Sequence, residues 1–106
     1  MKCTQYFLYT RQRSDRKIIH DEWIMNVIEN PDCEETQSDG RIRKWKRIDE
    51  AEGRYLRVIL LEDGETVHNA FFDRRFKEEK WKLNILKIQI QLWLSLTIRK
   101  LMRPGK

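Results

Sequence analysis

Hydrophobic positions recur along this chain with several rhythms, and each predicts a different element. In "DEWIMNVIENP" (21–31), Trp23, Ile24, Val27 and Ile28 fall at the spacing of one helical face. Asp21 and Glu22 stand where the helix macrodipole favours acids, and Pro31 lacks the donor needed to continue. The pattern therefore predicts a helix over 21–30. The aromatic and β-branched run "CTQYFLYT" (3–10) predicts a strand, followed by the basic connection "RQRSDR" (11–16).

From 32 to 76 the pattern is that of a β-meander. "SDGR" (38–41) and "EDGE" (62–65) place Asp-Gly between strand-like runs, a strong hairpin signal, and "DEAEG" (49–53) supplies a turn between them. Strands are expected near 33–38, 41–48, 54–61 and 65–73. The fold class is α+β, with one main helix covering one face of an antiparallel meander. A two-residue loop at Asp63-Gly64 sets Leu60 opposite Val67 and Ile59 opposite His68. One face then carries Leu56, Val58, Leu60, Val67 and Phe71 toward the helix. The other carries Tyr55, Arg57, Ile59, His68, Ala70 and Phe72, with Arg57 a diagonal neighbour of His68. The register across 49–53 is left open, and with it the side on which Trp45 lies.

The last rhythm belongs to a C-terminal extension. "KIQIQLWLSLTIR" (87–99) alternates strictly, as a strand would, while Ile85, Ile88, Leu92 and Leu96 also line up at helical spacing. Both strand and helix stay open for 81–102. Its uncharged run, 88–98, is too short for a transmembrane span, which needs about 20 apolar residues. The apolar side is expected to pack on protein, in the chain or in a homo-oligomer.

At 106 residues the chain has room for one modest core and an appendage, read as a domain over 1–77 and an extension over 78–106. The net charge of +5 is carried by the extension. Residues 1–76 hold 14 Lys/Arg against 15 Asp/Glu, whereas 77–106 hold 8 against 2. Nucleic-acid binding by the core domain must therefore use a local cluster of cations. Cys3 and Cys33 are read as free thiols, and with two His they offer no metal-site spacing, so no metal and no cofactor are expected. The chain starts without the apolar stretch of a signal peptide, which predicts a cytoplasmic location. Gly-rich phosphate loops and Gly-x-Ser-x-Gly elbows are missing from the sequence, against nucleotide-dependent and serine-hydrolase chemistry.

Two constellations carry candidate chemistry. "RIRKWKR" (41–47) interleaves cations with Trp45, a pattern that suits RNA, where charges hold phosphates and an indole stacks on a base. Arg41, Arg43, Trp45 and Arg47 share one side of such a strand, and Lys44 and Lys46 share the other. A solvated hairpin whose charges discourage edge pairing explains the same residues. In the second constellation, His68 with Arg57 and Arg74 has the groups for phosphoryl chemistry: an imidazole to move a proton and guanidiniums to stabilise a pentavalent phosphate. A histidine bonded to a neighbouring group is the structural alternative.

The stretches "YTRQRSDRKIIHDEWIMNVIENP", "DGRIRKWKRI", "GRYLRVILLEDG" and, most distinctively, "DGETVHNAFFDRRF" resemble a family of small bacterial proteins, common in cyanobacteria, related to the BrnT and RelE toxins of type II toxin–antitoxin systems. The resemblance covers about residues 6–77. It implies a helix-plus-antiparallel-sheet ribonuclease, independent of metal, that cleaves mRNA and is neutralised by a cognate antitoxin. In such enzymes an RNA 2′-hydroxyl attacks the adjacent phosphate, assisted by sheet-borne Arg, Lys, His or Tyr. By type and place, His68, Arg57 and Arg74 are the catalytic candidates. Arg41, Arg43, Trp45, Lys46, Arg47 and Tyr55 are the candidates for holding RNA. A non-catalytic interaction module on the same fold and a peripheral membrane protein are the rival expectations.

Overall fold

A computed structural model describes the backbone of residues 1–101 and the side chains of residues 1–98. It divides into two compact units, Met1–Phe76 and Lys77–Lys106. In the first unit the order is α1 (Gln5–Thr10), α2 (Asp21–Glu29), β1 (Cys33–Thr36), β2 (Ile42–Ile48), a 3-10 turn (Asp49–Ala51), β3 (Arg54–Leu60) and β4 (Val67–Phe72). The strands form one antiparallel sheet in sequence order. In the second unit α3 runs over Glu78–Leu101.

The strand expected over 3–10 is a helix for most of its length. Thr4 caps α1: its hydroxyl accepts from the Phe7 N–H at 3.1 Å. Phe7 and Thr10, three apart, are buried, while Tyr6 and Tyr9 are exposed. Helical packing thus overrides the β preference of the aromatic and β-branched residues. Only the first residues remain extended. Cys3 forms a parallel bridge with Val67, and the Val67 N–H donates to the Lys2 carbonyl at 2.8 Å. Lys2–Thr4 thereby cover part of the free edge of β4.

Helix α2 follows the expected pattern, with Ile24 and Val27 buried. His20 is its N-cap residue, and the Lys44 ammonium reaches over from β2 to donate to the Ile28 carbonyl at 2.9 Å, near the negative end of the helix. The core joins Phe7, Ile24 and Val27 to Leu56, Val58, Leu60, Val67 and Ala70. Leu56, Val58, Leu60 and Val67 are fully buried, each contributing about 1.5–3 kcal/mol relative to exposure.

The second and third strands meet across the 3-10 turn, where Glu52 (φ 61°) and Gly53 (φ 72°) take left-handed conformations that reverse the chain. Ile48 then pairs with Arg54, and Trp45 with Arg57. Trp45 therefore lies on the sheet face turned away from α2, with Arg43, Arg47, Tyr55 and Arg57.

The last hairpin contains a β-bulge. Leu60 pairs with Val67 as expected, but Ile59 pairs with Asn69, so His68 is an extra residue on β4. Every later side chain changes face. Ala70 and Phe72 turn toward α2, and Phe71 pairs with Arg57 on the opposite face, a reversal of the expected parity.

In the second unit the alternating segment is helical. A stripe of Asn84, Lys87, Gln91 and Ser95 is polar, and Ile88, Leu92, Trp93, Leu94 and Leu96 are exposed. Among the described residues no helix is long and apolar enough to cross a membrane. The part of the expectation that falls on residue 102 lies outside the described residues.

Candidate nucleic-acid interface

The bulge gives His68 its surroundings. Its Nδ1 lies 3.1 Å from the Thr4 hydroxyl, and its ring stacks on Tyr6 with centroids 4.9 Å apart. The Thr4 oxygen already accepts from the Phe7 N–H, yet keeps one proton to donate and one lone pair to accept with. By rotating, it serves either neutral tautomer and also the imidazolium. Nε2 has no hydrogen-bond partner among the described residues. Burial lowers the His68 pKa from its ordinary value, and the Arg41 guanidinium lowers it further by repelling the charged form. The imidazole is accordingly neutral near pH 7.

Arg57 has a different setting. Its guanidinium lies 5.5 Å from the Trp45 ring centroid and 5.3 Å from that of Phe71, and its Nη1 is 3.4 Å from the Asp73 carboxylate. Asp73 also accepts from the Trp45 indole N–H at 3.1 Å. Burial, then the charge of Arg43, lowers the Arg57 pKa, while Asp73 opposes the shift. Its Nε is buried without a hydrogen-bond partner. Arg57 thus belongs to a neutralised cluster that anchors the end of β4 to β2.

The three catalytic candidates are not brought together. Arg57 sits opposite Phe71, three residues along β4 from His68 or roughly 10 Å, so the expected diagonal contact is lost to the bulge. Arg74 lies past the end of β4, with at least ~13 Å of strand between it and His68. It lines a cleft of ≈ 290 Å³ with Asp15, Arg16, Arg54, Phe71 and Phe72. Instead, His68 meets Thr4 and Tyr6.

Nor does the basic strand form a free cationic surface. Arg41 pairs with Asp39 at 3.8 Å, Arg43 with Glu35 at 3.8 Å, Lys46 with Asp32 at 3.5 Å and Arg47 with Asp49 at 3.4 Å. Trp45 is buried and stacked on Phe76 with centroids 4.7 Å apart, and Tyr55 meets Phe76 edge-on. The indole has Phe76 and the Arg57 guanidinium as partners in place of a base. Lys46 points away from the Arg41/Arg43/Arg47 side, as expected from strand alternation.

Residues that sequence reasoning passed over include Thr4, Tyr6 and Arg54; Arg16 was visible only as one cation of the basic connection, able to add a phosphate contact. Thr4 preceding a run buried at i and i+3 is a readable helix signal. Arg16 and Arg54 acquire their setting only through the fold. Comparison with protein-family models, curated proteins and solved structures returned no match.

Proposed function

We propose that the first unit is a toxin-like ribonuclease, independent of metal and controlled by an antitoxin protein, in which His68 moves the proton. The observation that carries this reading is the imidazole itself: held through Nδ1 by Thr4, stacked on Tyr6, with Nε2 unbonded among the described residues and its charged form disfavoured by burial and by the charge of Arg41. In this reading Nε2 takes the proton of an RNA 2′-hydroxyl. The O2′–P bond forms, the P–O5′ bond breaks, and the imidazolium returns the proton to the leaving 5′-oxygen. The products are a 2′,3′-cyclic phosphate and a 5′-hydroxyl. Arg41 offsets charge on the phosphate, while Arg57 and Arg74 act elsewhere in the molecule.

The test is incubation of the purified chain with structured and single-stranded RNAs in the presence of a chelator. Wild type should yield cyclic-phosphate ends, and His68→Gln of matched circular dichroism should not. The pairing of the β2 cations favours a second reading, a protein-interaction module whose contact surface includes the exposed Tyr6, Leu8 and Tyr9. Wild type that leaves every RNA intact would select it. On either reading the apolar side chains of α3 meet a second copy of the chain. Deletion of 81–106 should then lower the mass measured by light scattering to that of a monomer.

A further inference from the structure

Most arginines of the first unit face a carboxylate; among the described residues, Arg54, Arg74 and Arg75 do not. Two of these line the ≈ 290 Å³ cleft at the end of β4, together with Arg16 from the turn before α2. We propose that this cleft is a binding site for a phosphoryl group, a phosphate monoester or diester, held by Arg16, Arg54 and Arg74. The site is separate from His68 and does not depend on the ribonuclease reading.

Each arginine keeps at least part of its fork unused, and Arg16 and Arg54 are held in place by the protein. Arg16 donates from Nη1 to the Asn69 side chain at 2.8 Å and to the Ala70 carbonyl at 3.2 Å, and its guanidinium lies 5.1 Å from the Phe71 ring centroid. Its Nε is buried with no hydrogen-bond partner, although the Asp15 carboxylate is 3.4 Å away. Arg54 uses Nε on the Ala51 carbonyl at 3.0 Å and lies 4.1 Å from the Phe72 centroid, which leaves both Nη atoms without an acceptor among the described residues. The Arg74 guanidinium has no acceptor among the described residues. Asp15 divides its charge between Arg13 and Arg16, each at 3.4 Å, so the lining keeps an excess of positive charge.

These features suit a phosphoryl group. Guanidinium forks pair with phosphate oxygens through parallel N–H bonds. The Phe71 and Phe72 walls exclude water on one side and strengthen the local field. The volume is at the small end for ligand pockets, right for a phosphoryl group and too small for a large organic ligand. An adjoining cleft of ≈ 280 Å³, which shares Arg54, Phe72 and Arg74 and adds Tyr55, Phe76 and the Asp73 carboxylate, has room for the uncharged sugar or base of an ester.

The experiment is an NMR titration of the full chain, following arginine Nε–Hε signals, first with inorganic phosphate and then with an oligouridylate bearing no terminal phosphate. Signals of Arg16 and Arg54 should shift saturably. Arg74→Gln should weaken binding about 10-fold or more, as expected for loss of a charge-assisted bond. Arg75→Gln, whose side chain lies outside the cleft, should leave binding unchanged. A response to phosphate alone identifies a small phosphorylated ligand, a response to the oligomer identifies an RNA backbone contact, and either upholds the site. No saturable shift with either probe, or equal weakening by Arg74→Gln and Arg75→Gln, overturns it. RNA cleavage is not part of the readout, so failure of the His68 mechanism leaves this result intact.

Discussion

Strand β2 and the end of β4 contain the same kind of side chain in opposite circumstances. Arg41, just before β2, and Arg43, Lys46 and Arg47 on it each have a carboxylate within 4 Å. At the end of β4, Arg54 and Arg74 have none among the described residues, and Arg16 retains a buried unsatisfied Nε. The sequence makes β2 look like the anion-binding element because its cations are crowded into seven residues. Their neutralising acids come from Asp32 just before β1, from β1 itself, from the 37–40 turn and from the 3-10 turn. Density of charge along a chain and free charge on a surface are different quantities, and only pairing in space relates them.

The largest expected effect tests the catalytic reading near the start of β4. His68→Gln should reduce RNA cleavage by about 10²–10⁴ in single-turnover rate, as for loss of one general acid–base group. Arg43→Gln on β2 should change the rate little. Equal losses from the two substitutions would erase the distinction between the regions.

Next in size is the neutralised cluster that joins them. Asp73→Asn leaves the Arg57 charge without its carboxylate and weakens the acceptor of the Trp45 indole. Breaking a fully buried pair costs about 3–5 kcal/mol, and the partial exposure of this one reduces the expectation to ~2 kcal/mol in urea unfolding. Glu35→Gln, opposite Arg43 in a more exposed pair, should cost less than ~1 kcal/mol. A larger loss from Glu35→Gln would show that β2 depends on its surface pairs more than its geometry suggests.

A smaller effect is expected at Thr4, where one hydroxyl both caps α1 and bonds His68. Thr4→Val should destabilise the first unit by about 1 kcal/mol. It should also leave the imidazole less well oriented, which NMR would register as a changed His68 titration curve.

The smallest effects concern pH. Because the folded His68 pKa is lowered, the unfolded chain binds more protons as pH falls past the ordinary value near 6.5. The contribution of His68 to stability is present above that value and lost as pH falls through the folded pKa. Thermal melts of wild type should show this dependence, and His68→Gln should flatten it. In the 62–65 hairpin, bonds from Thr66 and the Glu65 N–H hold the Asp63 pKa at about 2. Carbon-detected titration should find Asp63 ionised at pH 3, and Thr66→Val should raise its pKa.

Much of the fold was legible because its signals are local. Helical spacing in 21–30, Pro31 as a stop and two Asp-Gly turns led to α2 and to strands within a few residues of those observed. Leu56, Val58, Leu60 and Val67 were assigned to the buried face correctly, since the hairpin pairing begins at Leu60 and Val67 as expected. Residues 3–10 misled because β preference is weak beside a capping hydroxyl and the burial of Phe7 and Thr10 on one helical face. The alternation of 87–99 was equally ambiguous, because a helix rich in apolar residues can show a period of two by accident of order.

What the sequence by itself determined is therefore helix α2 and the antiparallel meander, since these follow from periodicity and turn chemistry within short windows. The tertiary structure alone decided which cations are free and which catalytic candidates meet. A single inserted residue, His68, turned Phe71 toward Arg57 and placed the histidine with Thr4 and Tyr6 instead. The physical reason is that strand parity accumulates along the chain, so a one-residue bulge reverses every side chain after it. Charge neutralisation is likewise non-local: Arg16 and Arg54 are 38 residues apart in sequence and line the same cleft.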